Sequence, residues 1–235
     1  MTDWLRPQPA AKPAYWCGDR YARADFRRAM LGKYGALDAL NEAWGTHFDT
    51  KEDIDLPRPD TVLPAIQDSV ESRRRWADFA DWYNEAWVRC LTDITGIVRR
   101  HFPETELVAS LGYASEALTH GNDQGRHIEA MARLGVSCQS PGDVGYLATR
   151  RVSSACRHWD VPYYTEPPGN VPRERELNRL FMDISNGCDN WFDYLQNMDR
   201  ARDLFIRYKH LLTVADPVSR LAVWHPTLDH WLHPD

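Results

Sequence analysis

The sequence predicts an α/β fold, a parallel sheet with helices packed outside it that amounts to half of an eight-unit barrel. Three observations carry this prediction. Between residues 106 and 212 a short apolar run is followed by a helical pattern, four times over. Such alternation builds a parallel sheet under a layer of helices. The connections are short, as βα units require. The third run, Val161-Pro162-Tyr163-Tyr164-Thr165, stops at Glu166 under Pro167-Pro168-Gly169. Valine, threonine and the tyrosines favour a strand, and two prolines with a glycine end it. Glu166 is thereby placed at the C-terminal tip of a strand, where parallel α/β folds carry their chemistry. The plainer reading of the same position is a charged residue opening a surface loop.

Taken in order, residues 1–16 are rich in proline and alanine and read as an irregular lead-in. From Asp19 a helix is predicted, with Tyr21, Phe26, Met30, Leu31 and Tyr34 at helical spacing and Gly35 as its interruption. Ala36 to Trp44 forms a second helix, and Gly45 suits its C-cap. Residues 46–65, rich in proline and acids, read as an extended loop. A long helix follows from Asp68 to His101, its apolar stripe running through Trp76, Phe79, Tyr83, Trp87, Leu91 and Ile94. His101-Phe102-Pro103 stops it. Then come a strand at Leu107–Leu111, a helix at Asp123–Leu134 closed by Gly135, and a strand at Val136–Ser140. A helix at 146–158, the strand at 161–166, a helix at 173–186, a strand at Asp189–Leu195 and a helix at 199–212 complete the alternation. Leu221-Ala222-Val223-Trp224 begins one more strand.

Residues 1–105 show no four further strands, so a whole barrel is not predicted within this chain. A free half barrel leaves two open strand edges, an aggregation liability. The expectation is a piece of a longer chain, or a partner that covers those edges. Three segments result: 1–65, a helical and loop insertion; 66–220, the barrel half; and 221–235, the start of a following domain.

Composition excludes several function classes. The net charge is -6 and the Arg73-Arg74-Arg75 run is short, which argues against nucleic acid. No apolar run approaches the length of a membrane span, and Met1-Thr2-Asp3-Trp4-Leu5-Arg6-Pro7 has no signal-peptide core. The five cysteines are scattered without metal-type spacing and read as reduced thiols of a cytoplasmic protein. No nucleotide loop, zinc site or serine triad is present, so no cofactor and no metal is expected. Ten tryptophans and ten tyrosines are many for this length. Aromatic rings fill cores, and they also stack on the apolar C–H face of sugars.

The stretch Phe26-Arg27-Arg28-Ala29-Met30-Leu31-Gly32-Lys33-Tyr34-Gly35-Ala36-Leu37-Asp38-Ala39-Leu40-Asn41-Glu42-Ala43-Trp44-Gly45-Thr46 resembles a segment of family 42 β-galactosidases and their relatives in glycoside hydrolase clan A. Arg99-Arg100-His101-Phe102-Pro103 is similar to the end of a helix in the same proteins, and Thr165-Glu166-Pro167-Pro168-Gly169 to the segment after their seventh barrel strand. The resemblance runs over most of residues 20–225. It implies a TIM barrel, (β/α)8, of which this chain carries strands five to eight. It implies Glu166 as the nucleophile, an acid/base on an Asn-Glu pair upstream of residue 1, and a flavodoxin-like domain beginning near residue 221. It also implies a carbohydrate substrate, galactose being usual, and a homo-oligomer in the full-length protein.

Retaining glycoside hydrolysis needs two carboxyls about 5–5.5 Å apart, one ionised nucleophile and one acid that turns base. Glu166 suits the first role if it points into the barrel mouth. Asn41-Glu42 and Asn84-Glu85 both spell Asn-Glu, but both lie within helical patterns and read as structural. Other strand ends supply substrate-binding candidates. Tyr113 lines the sugar site or packs. His120, with Asn122, reaches substrate or is a surface loop residue. Asp143 binds a hydroxyl or caps its Pro-Gly-Asp turn. Tyr164 or Tyr163 donates to Glu166 while the other packs outward. Trp191 is a stacking platform or core filler, with Tyr194 on the same predicted strand. The function expected is a β-galactosidase-like glycosidase, the alternative a non-catalytic carbohydrate-binding or scaffold relative.

Overall fold

The structure is a computed structural model that describes residues 17–58, 69–111, 123–141, 146–167 and 169–211. Its elements are α1 (Arg20–Tyr34), α2 (Leu37–Trp44), a 3-10 turn (Lys51–Asp53), α3 (Val70–His101), β1 (Leu107–Ser110), α4 (Gln124–Leu134), β2 (Val136–Pro141), α5 (Tyr146–His158), β3 (Tyr163–Glu166), α6 (Arg173–Ser185), β4 (Asn190–Trp191) and α7 (Leu195–Tyr208). The chain divides into two compact units between Tyr83 and Asn84, inside α3. The reason lies in the aromatic residues of the first turns of α3. No described helix is long and apolar enough to cross a membrane.

In the first unit, Asp19 caps α1 by accepting from the backbone N–H groups of Tyr21 and Ala22. Gly35 ends the helix at φ 75°, a left-handed conformation that glycine adopts without a steric penalty. Phe26 of α1 then packs with Trp44 of α2 and with Trp82 of α3, its centroid 5.2 Å from the Trp82 ring. Trp76 and Phe79 complete this buried aromatic core. Asp78, itself buried, gathers three donors: Lys33 Nζ at 2.7 Å, Tyr34 OH at 2.6 Å and Trp44 Nε1 at 2.7 Å. The Tyr34 phenol is pushed up to about 12 by burial and then by Asp78. Asn41 bridges the turn after α2, accepting from Phe48 N–H and Thr46 Oγ1 and donating to the Phe48 carbonyl. Glu42 beside it is exposed, so the first Asn-Glu pair is structural at Asn41 and solvated at Glu42.

The second unit is a four-stranded sheet, all parallel, in the order β1-β2-β3-β4. Its core lies between the sheet and the helices: Val136 and Cys138 from β2, Tyr163 from β3, Ile128 and Met131 from α4, Val152 and Cys156 from α5. β3 alternates as a half-buried strand should. Tyr163 and Thr165 are buried, and Tyr164 and Glu166 are half-buried on the other face. Asn84 is buried and accepts from the Asp123 backbone N–H at the start of α4, while Glu85 is exposed. The second Asn-Glu pair is thus also structural at its Asn.

The last strand is shorter than expected. Only Asn190–Trp191 pair with β3, and α7 starts at Leu195 rather than 199. Asp193 causes the change: its Oδ1 accepts from Tyr194 N–H at 2.8 Å and from Asn197 Nδ2 at 3.0 Å, which turns the chain into the helix. The predicted strand at 221–224 lies outside the described residues.

His127 of α4 is fully buried, and its ring stacks on Trp87 at 4.0 Å between centroids. Burial first, and the Arg126 charge second, push the imidazole down to about 3.

Two stability outcomes follow. Asp78→Ala strands the Trp44 and Tyr34 donors and should cost about 3 kcal/mol in urea unfolding. For His127 the folded pKa lies below the unfolded value of about 6.5, so the unfolded chain binds the proton more readily. Its contribution is complete above pH 6.5 and is lost as pH falls toward 3, at up to about 1.4 kcal/mol per pH unit. His127→Phe keeps the stack and should flatten this part of the pH–stability curve; an unchanged slope in urea titrations would refute the assignment.

Candidate active site

Glu166 closes β3, with β2 and β4 hydrogen-bonded on either side. Period-two geometry sends its side chain to the face opposite the buried Tyr163 and Thr165. Register aligns Gln139 of β2 with Tyr164 and Pro141 with Glu166. Gln139 therefore lies on the Glu166 face, two residues back along the register. Its Nε2 donates to Glu166 Oε2 at 2.7 Å. From the opposite flank, Tyr194 OH donates to Glu166 Oε1 at 2.8 Å. Among the described residues each carboxylate oxygen thus has one donor, from β2 on one side and from the β4–α7 turn on the other. Two opposed donors fix the plane of the carboxylate.

Tyr164 shares the Glu166 face but does not bond to Glu166. Its hydroxyl donates to Glu106 Oε1 at 2.7 Å, and Ser137 Oγ meets the same oxygen at 3.1 Å. The hydrogen bond to Glu106 is the main cause of a raised Tyr164 phenol pKa. Tyr163 points into the core. So neither tyrosine of the strand donates to Glu166; Tyr194 does. Trp191 stacks on Phe205 of α7, 5.3 Å between centroids and 17° between planes, and packs against the helix-side core. Its register partner is the buried Thr165. This placement is that of a partly buried packing residue on the helix side of the sheet. Tyr113, His120 and Asp143 lie outside the described residues, as does Asn122.

The sequence reading does not single out Gln139, although strand alternation puts it on the face opposite the buried Cys138. The sequence places Tyr194 in a strand, whereas its role depends on the turn that Asp193 makes. Asp193 is a second carboxylate at this end of the sheet, and its Oδ2 is held by Arg179 at 3.2 Å. Among the described residues no group of three His, Cys, Asp or Glu side chains is arranged to hold a metal ion.

No protein-family model matches the sequence, and no curated protein matches it. Among solved structures, the chain is similar to the catalytic domain of β-amylase from Paenibacillus polymyxa, with a TM-score of 0.70 at 18% identity. The fold is a partial TIM barrel. The similarity covers 83% of this chain and 55% of that one, so the chain spans just over half the length of its structural neighbour. The neighbour is a glycosidase catalytic domain, and the likeness at this identity is one of fold. It gives no specific support to family 42.

The Gln139–Glu166 bond has a measurable consequence. Gln139→Leu leaves the half-buried carboxylate one donor short and should cost about 1.5–2 kcal/mol at neutral pH. In a Glu166→Leu background the same substitution should cost far less. Equal costs in both backgrounds, read from urea unfolding, would show that the pair is not coupled.

Proposed function

We propose that the chain is the nucleophile-bearing half of the catalytic barrel of a retaining, β-galactosidase-like glycoside hydrolase. The observation that carries this reading is Glu166, at the C-terminal tip of a parallel strand, with one donor on each oxygen. A carboxylate so held has a fixed direction of attack. In the proposed reaction a Glu166 oxygen bonds to the anomeric carbon as the glycosidic C–O bond breaks. A second carboxyl, expected on the barrel half that this chain does not include, protonates the departing oxygen. That group then takes a proton from water, whose oxygen displaces Glu166 and releases the sugar. Tyr113, His120, Asp143 and Tyr164 remain proposed contacts to the sugar. The fold likeness to a glycosidase catalytic domain supports the class, and the motif resemblance supports the β-galactoside.

One observation favours a second reading, a non-catalytic carbohydrate-binding relative. Among the described residues, Asp193 is the carboxylate that shares this end of the sheet with Glu166, and it is committed to Arg179. A barrel with one free carboxylate binds a sugar without cleaving it.

In a protein that carries the complete barrel, Glu166→Gln should lower turnover of an aryl β-galactoside on the order of 10⁴-fold with the circular dichroism unchanged. Unchanged turnover sinks the nucleophile assignment. Binding of the galactoside with no turnover, lost in Glu166→Gln, selects the second reading. The 235-residue chain alone is expected to show no appreciable hydrolysis, and robust activity from it would overturn the placing of the acid elsewhere.

A further inference from the structure

Tyr194 approaches Glu166 from a turn, and a phenol carried on a turn needs something to hold its backbone. Asp193 does this. Its Oδ1 accepts from the Tyr194 backbone N–H at 2.8 Å and from Asn197 Nδ2 at 3.0 Å. Its Oδ2 lies 3.2 Å from Arg179 Nη2. Arg179 belongs to α6 and is 1% exposed. Its Nε and Nη2 donate to Glu176 Oε1 at 3.1 and 2.8 Å, and its Nη1 donates to Asp183 Oδ2 at 3.2 Å. One guanidinium therefore joins two turns of α6 to the β4–α7 turn. Asn197 extends the brace, since its Nδ2 also donates to the Gly169 carbonyl and its Oδ1 accepts from Val171 N–H. The loop that follows Glu166 and the turn that carries Tyr194 are thus tied to the same side chain.

Such a cluster is a poor device for stability alone, because desolvating charges consumes much of what their attraction supplies. The Glu176 carboxyl shows the cost: burial first, and neighbouring Asp193 next, push it up to about 7 against the opposing pull of Arg179. What the cluster does supply is direction. Arg179 has a planar fork that fixes its partners in angle as well as distance.

We propose that Asp193, anchored by the buried Arg179, is a positioning residue for Glu166: it sets the turn that aims the Tyr194 hydroxyl at Glu166 Oε1. The idea depends on the proposed function only in naming Glu166 as the reacting carboxylate. The geometry itself is independent of that reading.

The test uses the whole chain labelled with ring-¹³C tyrosine, with the Tyr194 resonance assigned through Tyr194→Phe. In the native chain Glu166→Gln replaces a charge-assisted bond with a neutral one and should shift the Tyr194 resonance. In an Asp193→Asn background the same substitution should leave that resonance where it is, because the phenol no longer reaches Glu166. Arg179→Lys keeps a charge without the fork and should give an intermediate response. If Glu166→Gln shifts Tyr194 as far in Asp193→Asn as in the native chain, the proposal is overturned. It is overturned equally if the native chain shows no response at all. Should Asp193→Asn fail to fold by circular dichroism, Asn197→Ala takes its place, since it removes one donor to the same oxygen. A reduced response then supports the proposal and a full one refutes it. Turnover plays no part in these measurements. A complete-barrel protein inactive on glycosides with the coupling intact counts against the glycosidase alone, and an active one without the coupling counts against the positioning role alone.

Discussion

Everything placed around Glu166 depends on the two-residue alternation of β3. Tyr163 and Thr165 fill the helix-side core, and Tyr164 and Glu166 take the other face. A slip of one residue would bury a carboxylate and expose a tyrosine, so the register is held by the whole weight of the core. The backbone adds to this on both flanks. Cys138 N–H donates to the Pro162 carbonyl, while Asp189 and Phe192 N–H donate to the carbonyls of Tyr163 and Thr165. Asp189 also accepts from Tyr163 N–H through its side chain. With β3 fixed, Gln139 falls into place by sheet register alone.

Much of this was legible in the residues. The alternation of apolar runs and helical stripes marks the βα units because burial imposes period two on strands and 3.6 on helices. α3 ends at His101 because Pro103 prevents continuation, and β3 ends at Glu166 because Pro167 follows. The partners of Glu166 were less legible. Gln139 lies 27 positions away and Tyr194 28, so their approach depends on strand pairing that no local pattern states. The length of β4 was hidden for another reason. Asp193 captures backbone and side-chain donors, and that competition with the ladder ends the strand after two residues. Once the strand is so short, alternation no longer tells which face Trp191 takes, and its stacking on Phe205 decides it.

The longest motif in the resemblance, Phe26 to Thr46, has its explanation in packing. Its Lys33, Tyr34 and Trp44 converge on Asp78, its Asn41 ties the turn to Phe48, and its Phe26 sits at the centre of an aromatic core. A motif can be specific because several buried donors must share one acceptor, with no substrate involved. The residues that suggest chemistry are few by comparison: Glu166, Gln139 and Tyr194, each drawn from a different element.

The Arg179 cluster also bears on how the sequence can drift. Removing one member of a buried ion group costs about 3–5 kcal/mol, whereas replacing the group wholesale by apolar residues is often neutral. Between those two states lies a barrier that single substitutions must cross. Glu176, Arg179, Asp183 and Asn197 with Asp193 are therefore expected to change together or not at all. In related chains they should travel as one inherited block, even though they are spread over two helices and a turn.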